Sequence, residues 1–120
     1  MHSEDATALE MVRKGYALDD PTDRERVLTF RVAFNDRENA YAALEAIGDY
    51  NDFNGSAVAN ALRGAIRDRS TRITVGREGS PVVYVSVWGE DGEAIQDALW
   101  DAKADEVDPD RHRDIRAWWD

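Results

Sequence analysis

The chemistry-bearing residues of this chain are unevenly spread, and the densest group is basic. Between Arg63 and Arg77 the sequence reads RGAIRDRSTRITVGR: Arg63, Arg67, Arg69, Arg72 and Arg77 stand against one acid, Asp68. Five cations less one anion leave +4 in a chain whose formal charge is −10. Guanidinium forks match oxyanions in shape and charge, so these five residues form a candidate anion or nucleic-acid patch. Structural roles compete for them. Arg67 and Arg69 fall near an expected helix C-terminus, where the helix dipole favours cations. Any of the five can also pair with the chain's own surplus acids.

A second group is aromatic. Trp88 follows a run of valines, Trp100 lies off the apolar stripe of its expected helix, and Trp118 and Trp119 are adjacent near residue 120. With Pro109 at a first helical turn, Ile115, Trp118 and Trp119 fall at i, i+3 and i+4. That spacing predicts an amphipathic C-terminal helix over 109–119. Trp88, Trp100, Ile115, Trp118 and Trp119 are therefore candidate partner-binding residues, because aromatic side chains are frequent anchors of protein interfaces.

Catalysis finds few means here. The two histidines, His2 and His112, lie far apart, there is no cysteine, and no nucleophile elbow, phosphate loop or dinucleotide fingerprint occurs. The stretch DYNDFNG resembles part of a calcium loop, but with Gly55 as sixth position the first is Tyr50 and the twelfth is Ala61. Neither is the carboxylate such a loop needs. We expect a non-enzymatic chain with no cofactor and no metal, in which this stretch is an Asn/Asp turn that caps the helix that follows.

The charge has a habitat reading as well. Sixteen Asp outnumber nine Glu, and thirteen Arg outnumber two Lys. A dense carboxylate surface keeps a protein soluble where salt screens charge, as in a salt-loaded, haloarchaeal-type cytoplasm; a GC-rich genome produces a similar bias. No basic segment followed by an apolar run opens the sequence and no run approaches a membrane span, so the expected location is cytoplasmic, without membrane contact.

These residues must be positioned by elements that the patterning predicts. Ser3 starts a helix with Leu9, Val12 and Tyr16 on one stripe (residues 1–17, an appendage in this reading), and the polar loop Leu18–Arg26 follows. Over Arg26–Phe34, Leu28, Phe30, Val32 and Phe34 share one face and Val27, Thr29, Arg31 and Ala33, only half polar, the other, which gives a strand. Asn35 and Glu38 resemble a capping box before a helix with Ala40, Ala43, Leu44 and Ile47 inward. A second helix carries Val58, Ala61, Leu62, Ala65 and Ile66. The runs TRITV and PVVYVSVW around GREGS form a hairpin, and Asp91 caps a helix with Ala94, Ile95, Ala98, Leu99 and Ala102 inward.

The expected fold is α+β: a three-stranded antiparallel sheet with helices packed on it, in the order α-β-α-α-β-β-α-α, with residues 26–120 as one domain. From Arg26 to Ala104 the element order resembles that of type I KH domains. Such domains clamp nucleic-acid backbone with a Gly-x-x-Gly loop between the central helices. Here Gly48 and Gly55 are seven residues apart and Asp49 and Asp52 lie between them, so the resemblance brings no clamp. The functional expectation is a small acidic regulatory or adaptor protein that works by protein–protein interaction and self-associates as a homodimer. The alternatives are a KH-like nucleic-acid-binding domain using the arginine patch, and an acidic mimic of nucleic acid.

Overall fold

The computed structural model of the chain describes residues 3–17, 29–109 and 114–120. Residues 18–28 and 110–113 lie outside that description, and with them the loop Leu18–Arg26, the first residues of the Arg26–Phe34 strand, and His112 with its flanking arginines. Helices are α1 (Ser3–Ala17), α2 (Arg37–Ile47), α3 (Gly55–Ala65) and α4 (Gly92–Asp101). Strands are β1 (Thr29–Ala33), β2 (Asp49–Tyr50), β3 (Phe53–Asn54), β4 (Arg72–Glu78), β5 (Ser80–Ser86), β6 (Glu106–Pro109) and β7 (Asp114–Trp118). None of these helices is long and apolar enough to cross a membrane.

The α+β class holds, and the details differ from the sequence expectation. The main sheet has five antiparallel strands in the order β1-β4-β5-β7-β6, and β2 and β3 form a separate small ladder. The hairpin expected around GREGS is β4–β5, with the chain reversing at Gly79, whose φ of 73° an L side chain rarely adopts. The helix expected over 109–119 is not what its described residues form: Pro109 ends β6, Asp114–Trp118 are β7, β6 pairs with β7, and β7 docks along β5 in the register Val83↔Ala117 and Val85↔Ile115.

The physical reason lies in the spacing itself. Ile115, Ala117 and Trp119 also recur with period two, and in a strand they share one face while Asp114, Arg116 and Trp118 share the other. Ile115, Ala117 and Trp119 are buried, whereas the alternate residues are only partly covered. Satisfying the backbone ladder of β5 decided between two patterns that the side chains alone fit equally well.

One row crosses the whole sheet on the inward face: Val32, Val75, Val83, Ala117 and Val107 are register partners strand by strand. All five are buried in one core with Leu44, Leu62, Ile95 and Leu99 from the helices. The helices thus form a layer on that face. Asp36, one residue later than the expected Asn35, caps α2 by accepting from the Glu38 N–H, and Asn54 Oδ1 caps α3 by accepting from the Ala57 N–H. Asp91 precedes α4 without a capping bond from its side chain.

Helix α1 is joined to this layer through an acid. Asp5 is fully buried and its carboxylate accepts from the Asn35 N–H (2.8 Å), the Asp36 N–H (3.0 Å) and Asn39 Nδ2 (2.8 Å). Val12 is also fully buried, and Tyr16 packs edge-on to Phe30. The α1 stripe read from sequence is the stripe that faces inward.

Candidate functional site

The five arginines of the expected patch do not converge. Arg77 is buried at one end of β4: Nη1 donates to the Gly15 carbonyl (2.8 Å), Nε donates to the Gly79 carbonyl (3.0 Å), and the guanidinium lies over the rings of Tyr16 and Tyr50. Arg63 lies over the Tyr41 ring and faces Glu38 (3.4 Å) and Glu45 (3.6 Å). Both arginines serve the fold. Arg67 follows α3, and its backbone N–H, with that of Asp68, donates to Asp91 Oδ2. These two bonds hold the Asp91 carboxyl below its ordinary range.

Arg69 and Arg72 do come together, with a third cation the sequence reading passed over. Arg37, Arg69 and Arg72 line one cleft of about 290 Å³ beside the start of α2, together with Asn35, Asp36, Glu38 and Thr71. Arg37 Nη1 donates to the carbonyls of Asp68 (3.0 Å), Arg69 (3.0 Å) and Thr71 (3.2 Å), and Arg72 Nη1 donates to that of Asn35 (3.0 Å). Arg37 stands thirty-two residues before Arg69, so no local charge count could have grouped them.

The outward face of the sheet carries no described helix, and side chains finish it instead. Glu78 is the hub. Its carboxylate accepts from the Tyr84 hydroxyl (2.5 Å) and from Arg116 Nε and Nη2 (both 3.3 Å), while its carbonyl accepts from Trp118 Nε1 (3.0 Å). Arg116 also faces Glu106 (3.6 Å) and Asp108 (3.4 Å), and Arg31 lies over the Tyr84 ring. This layer leaves Val82, the apolar residue in its middle, fully buried.

The tryptophans divide into two pairs. Trp119 is fully buried against Phe53 (5.1 Å, edge to face) with Nε1 donating to the Ala102 carbonyl (2.9 Å), and Trp118 belongs to the Glu78 layer. With Ile115 also buried, three of the five expected partner-binding residues are part of the fold. Trp88 and Trp100 are different: they are 55% and 50% exposed. Each uses its backbone in a hydrogen bond, to Thr71 and Lys103 respectively. Glu93, Asp97 and Asp101, also exposed, follow one another at i, i+4 and i+8 on α4, and Trp100 neighbours that acidic stripe.

Comparison with known proteins adds no relative: no protein-family model matches the chain, and neither a curated protein nor a solved structure does.

Titration provides a test of the layer and of the core. Partial burial raises the Glu78 carboxyl, but the bonds from Tyr84 and Arg116 outweigh it, and its pKa falls below the ordinary 4.5. Burial, then the bond to Glu78, raises Tyr84 above 10.0, and burial raises Tyr16 and Tyr41 as well. A depressed carboxyl contributes stability above its unfolded pKa, which is lost as pH falls through the folded value. A raised phenol contributes stability below its unfolded pKa, which is lost as pH rises through the folded value. Urea midpoints should therefore fall below about pH 4 and again above about pH 10. Tyr84→Phe should shrink the alkaline loss, and an unchanged alkaline limb in that variant would exclude the Tyr84–Glu78 bond as a contributor.

Proposed function

We propose that this chain is a non-catalytic protein-binding module that self-associates through contacts anchored by Trp88 and Trp100. One observation carries the reading: two indoles stay half exposed on a chain that uses its other two tryptophans internally. Exposed indoles are costly in water and are the side chains most often found at the energetic centre of interfaces.

Magnitudes set the form of the association. In a twofold dimer each tryptophan occurs twice, and four half-exposed indoles bury roughly 400 Å². A stable interface needs about 1,200 Å², so the tryptophans anchor a contact that must include more of the surface around them. Beside Trp100 that surface holds Glu93, Asp97 and Asp101, so a self-interface there brings two acidic stripes of like charge close together. Like charges repel over a Debye length of about 10 Å at 0.1 M salt, but only about 3 Å at 1 M. Self-association should therefore strengthen with salt, the reverse of an interface built on ion pairs.

Sedimentation equilibrium in KCl tests this. Wild type is expected to be monomeric near 0.1 M and dimeric at multimolar salt, while Trp88→Ser/Trp100→Ser stays monomeric throughout with an unchanged circular dichroism spectrum. A wild-type chain that is monomeric at every salt concentration overturns self-association.

A further inference from the structure

We propose that the cleft lined by Arg37, Arg69 and Arg72 binds the phosphate group of a small phosphate monoester. This goes beyond the tryptophan surface and does not depend on it. A chain with twenty-five acids and fifteen bases has carboxylates to spare for any cation that needs one. Yet three arginines meet in one cleft with two carboxylates, and both of those are engaged elsewhere. Asp36 Oδ1 accepts from the Glu38 N–H (2.9 Å), and Glu38 Oε2 faces Arg63 (3.4 Å). Neither Arg69 nor Arg72 makes an ion pair with a described residue.

Two of the three arginines, Arg37 and Arg72, are held in a way that suits a ligand. Three carbonyls accept from Arg37 Nη1, and a fourth accepts from Arg72 Nη1. Each guanidinium has five N–H donors, so tethering through one nitrogen orients the fork without exhausting it. A tethered fork loses less side-chain entropy when an oxyanion arrives, and it matches a phosphate bidentately. Behind the cleft, Thr71 is buried and its hydroxyl oxygen accepts from the Trp88 N–H, which fixes the wall between the α3–β4 loop and the end of β5.

Size and field choose the ligand class. A volume of about 290 Å³ accommodates a phosphate with a small organic group. A nucleic-acid backbone would have to run on from the cleft across the acidic remainder of the surface, which repels it. One phosphate, entering a local cluster of guanidiniums, meets that repulsion only at longer range, where salt screens it.

The experiment is a calorimetric and NMR titration of the full chain with inorganic phosphate, chloride being exchanged to hold ionic strength constant. The expected result is one saturable site, with the largest amide shifts at Asn35–Glu38 and Arg69–Arg72. Arg69→Gln/Arg72→Gln should weaken it about tenfold or more, the loss anticipated for charged hydrogen bonds. Arg13→Gln, on the exposed face of α1, should leave it unchanged. If the double variant unfolds at lower urea than wild type, Arg69→Gln alone carries the comparison. Absence of saturation, or equal weakening by Arg13→Gln, overturns the proposal. So does an oligoribonucleotide without terminal phosphate that binds as tightly as its 5′-phosphorylated form, because the site would then recognise backbone.

Discussion

Trp119→Ala is expected to destabilise the chain by about 3–5 kcal/mol, measured as a fall in the urea midpoint with little change in slope. The side chain is fully buried, so truncation leaves a cavity bordered by the Phe53 ring that now packs against it. It also strands the Ala102 carbonyl at the end of α4, which has the indole N–H as its partner. Domains of this size are stable by about 5–15 kcal/mol, so the variant stands near the limit of folding. Trp119→Phe should recover most of the packing and none of the hydrogen bond. The informative comparison is Trp118→Ala, on the opposite face of the same strand, with an expected cost of about 1 kcal/mol for a partly covered ring and one hydrogen bond. An amphipathic helix would place both indoles on one side and make the two losses alike. Equal losses would therefore contradict β7.

Asp5→Ala should cost about 2–4 kcal/mol, although the residue is an acid in the first turn of the first helix. Its carboxylate accepts from three donors of the segment entering α2, and with it gone two backbone N–H groups and one side-chain amide lose their acceptor. The penalty is the desolvation of those groups, and it falls at the junction of α1 and α2. Hydrogen exchange gives the local readout. Amides of Asn35 and Asp36 should exchange much faster in Asp5→Ala, while those of β5 and β7 should speed up only as far as global stability falls. Unchanged exchange at Asn35 and Asp36 would show that the carboxylate does not hold that turn. Asp5→Asn, which keeps one acceptor oxygen, should fall between the two.

How far the fold could be read in advance depended on which competing pattern each segment contained. The alternation of β1, the valine run of β5 and the stripes of α2, α3 and α4 each fit one period, and Leu44, Val58, Leu62, Ile95 and Leu99 are buried as that reading expects; Tyr41 and Ala59 are buried outside the expected stripes, and Ala94, expected inward, is exposed. Ile115, Trp118 and Trp119 fit helical spacing while Ile115, Ala117 and Trp119 fit a strand, and only the neighbouring β5 ladder decides. Asp5 looked like a dipole-favoured helix acid because its three donors lie thirty or more residues away. The arginines failed as a group for the same reason. Proximity in sequence placed Arg63 and Arg77 with Arg69 and Arg72, whereas the fold exchanges them for Arg37.

The two margins of the main sheet are β1 and β6. At one of them the edge strand, β6, is only four residues long and reads Glu106, Val107, Asp108, Pro109. Where this strand paired with its own copy, two carboxylates on each side would be brought together, and proline has no N–H to offer any partner strand. Growth of the sheet from chain to chain is thus discouraged on that side by charge and by a missing donor. A protein crowded to high concentration keeps its sheet finite there, and any contact it makes with a second copy is left to side-chain surfaces.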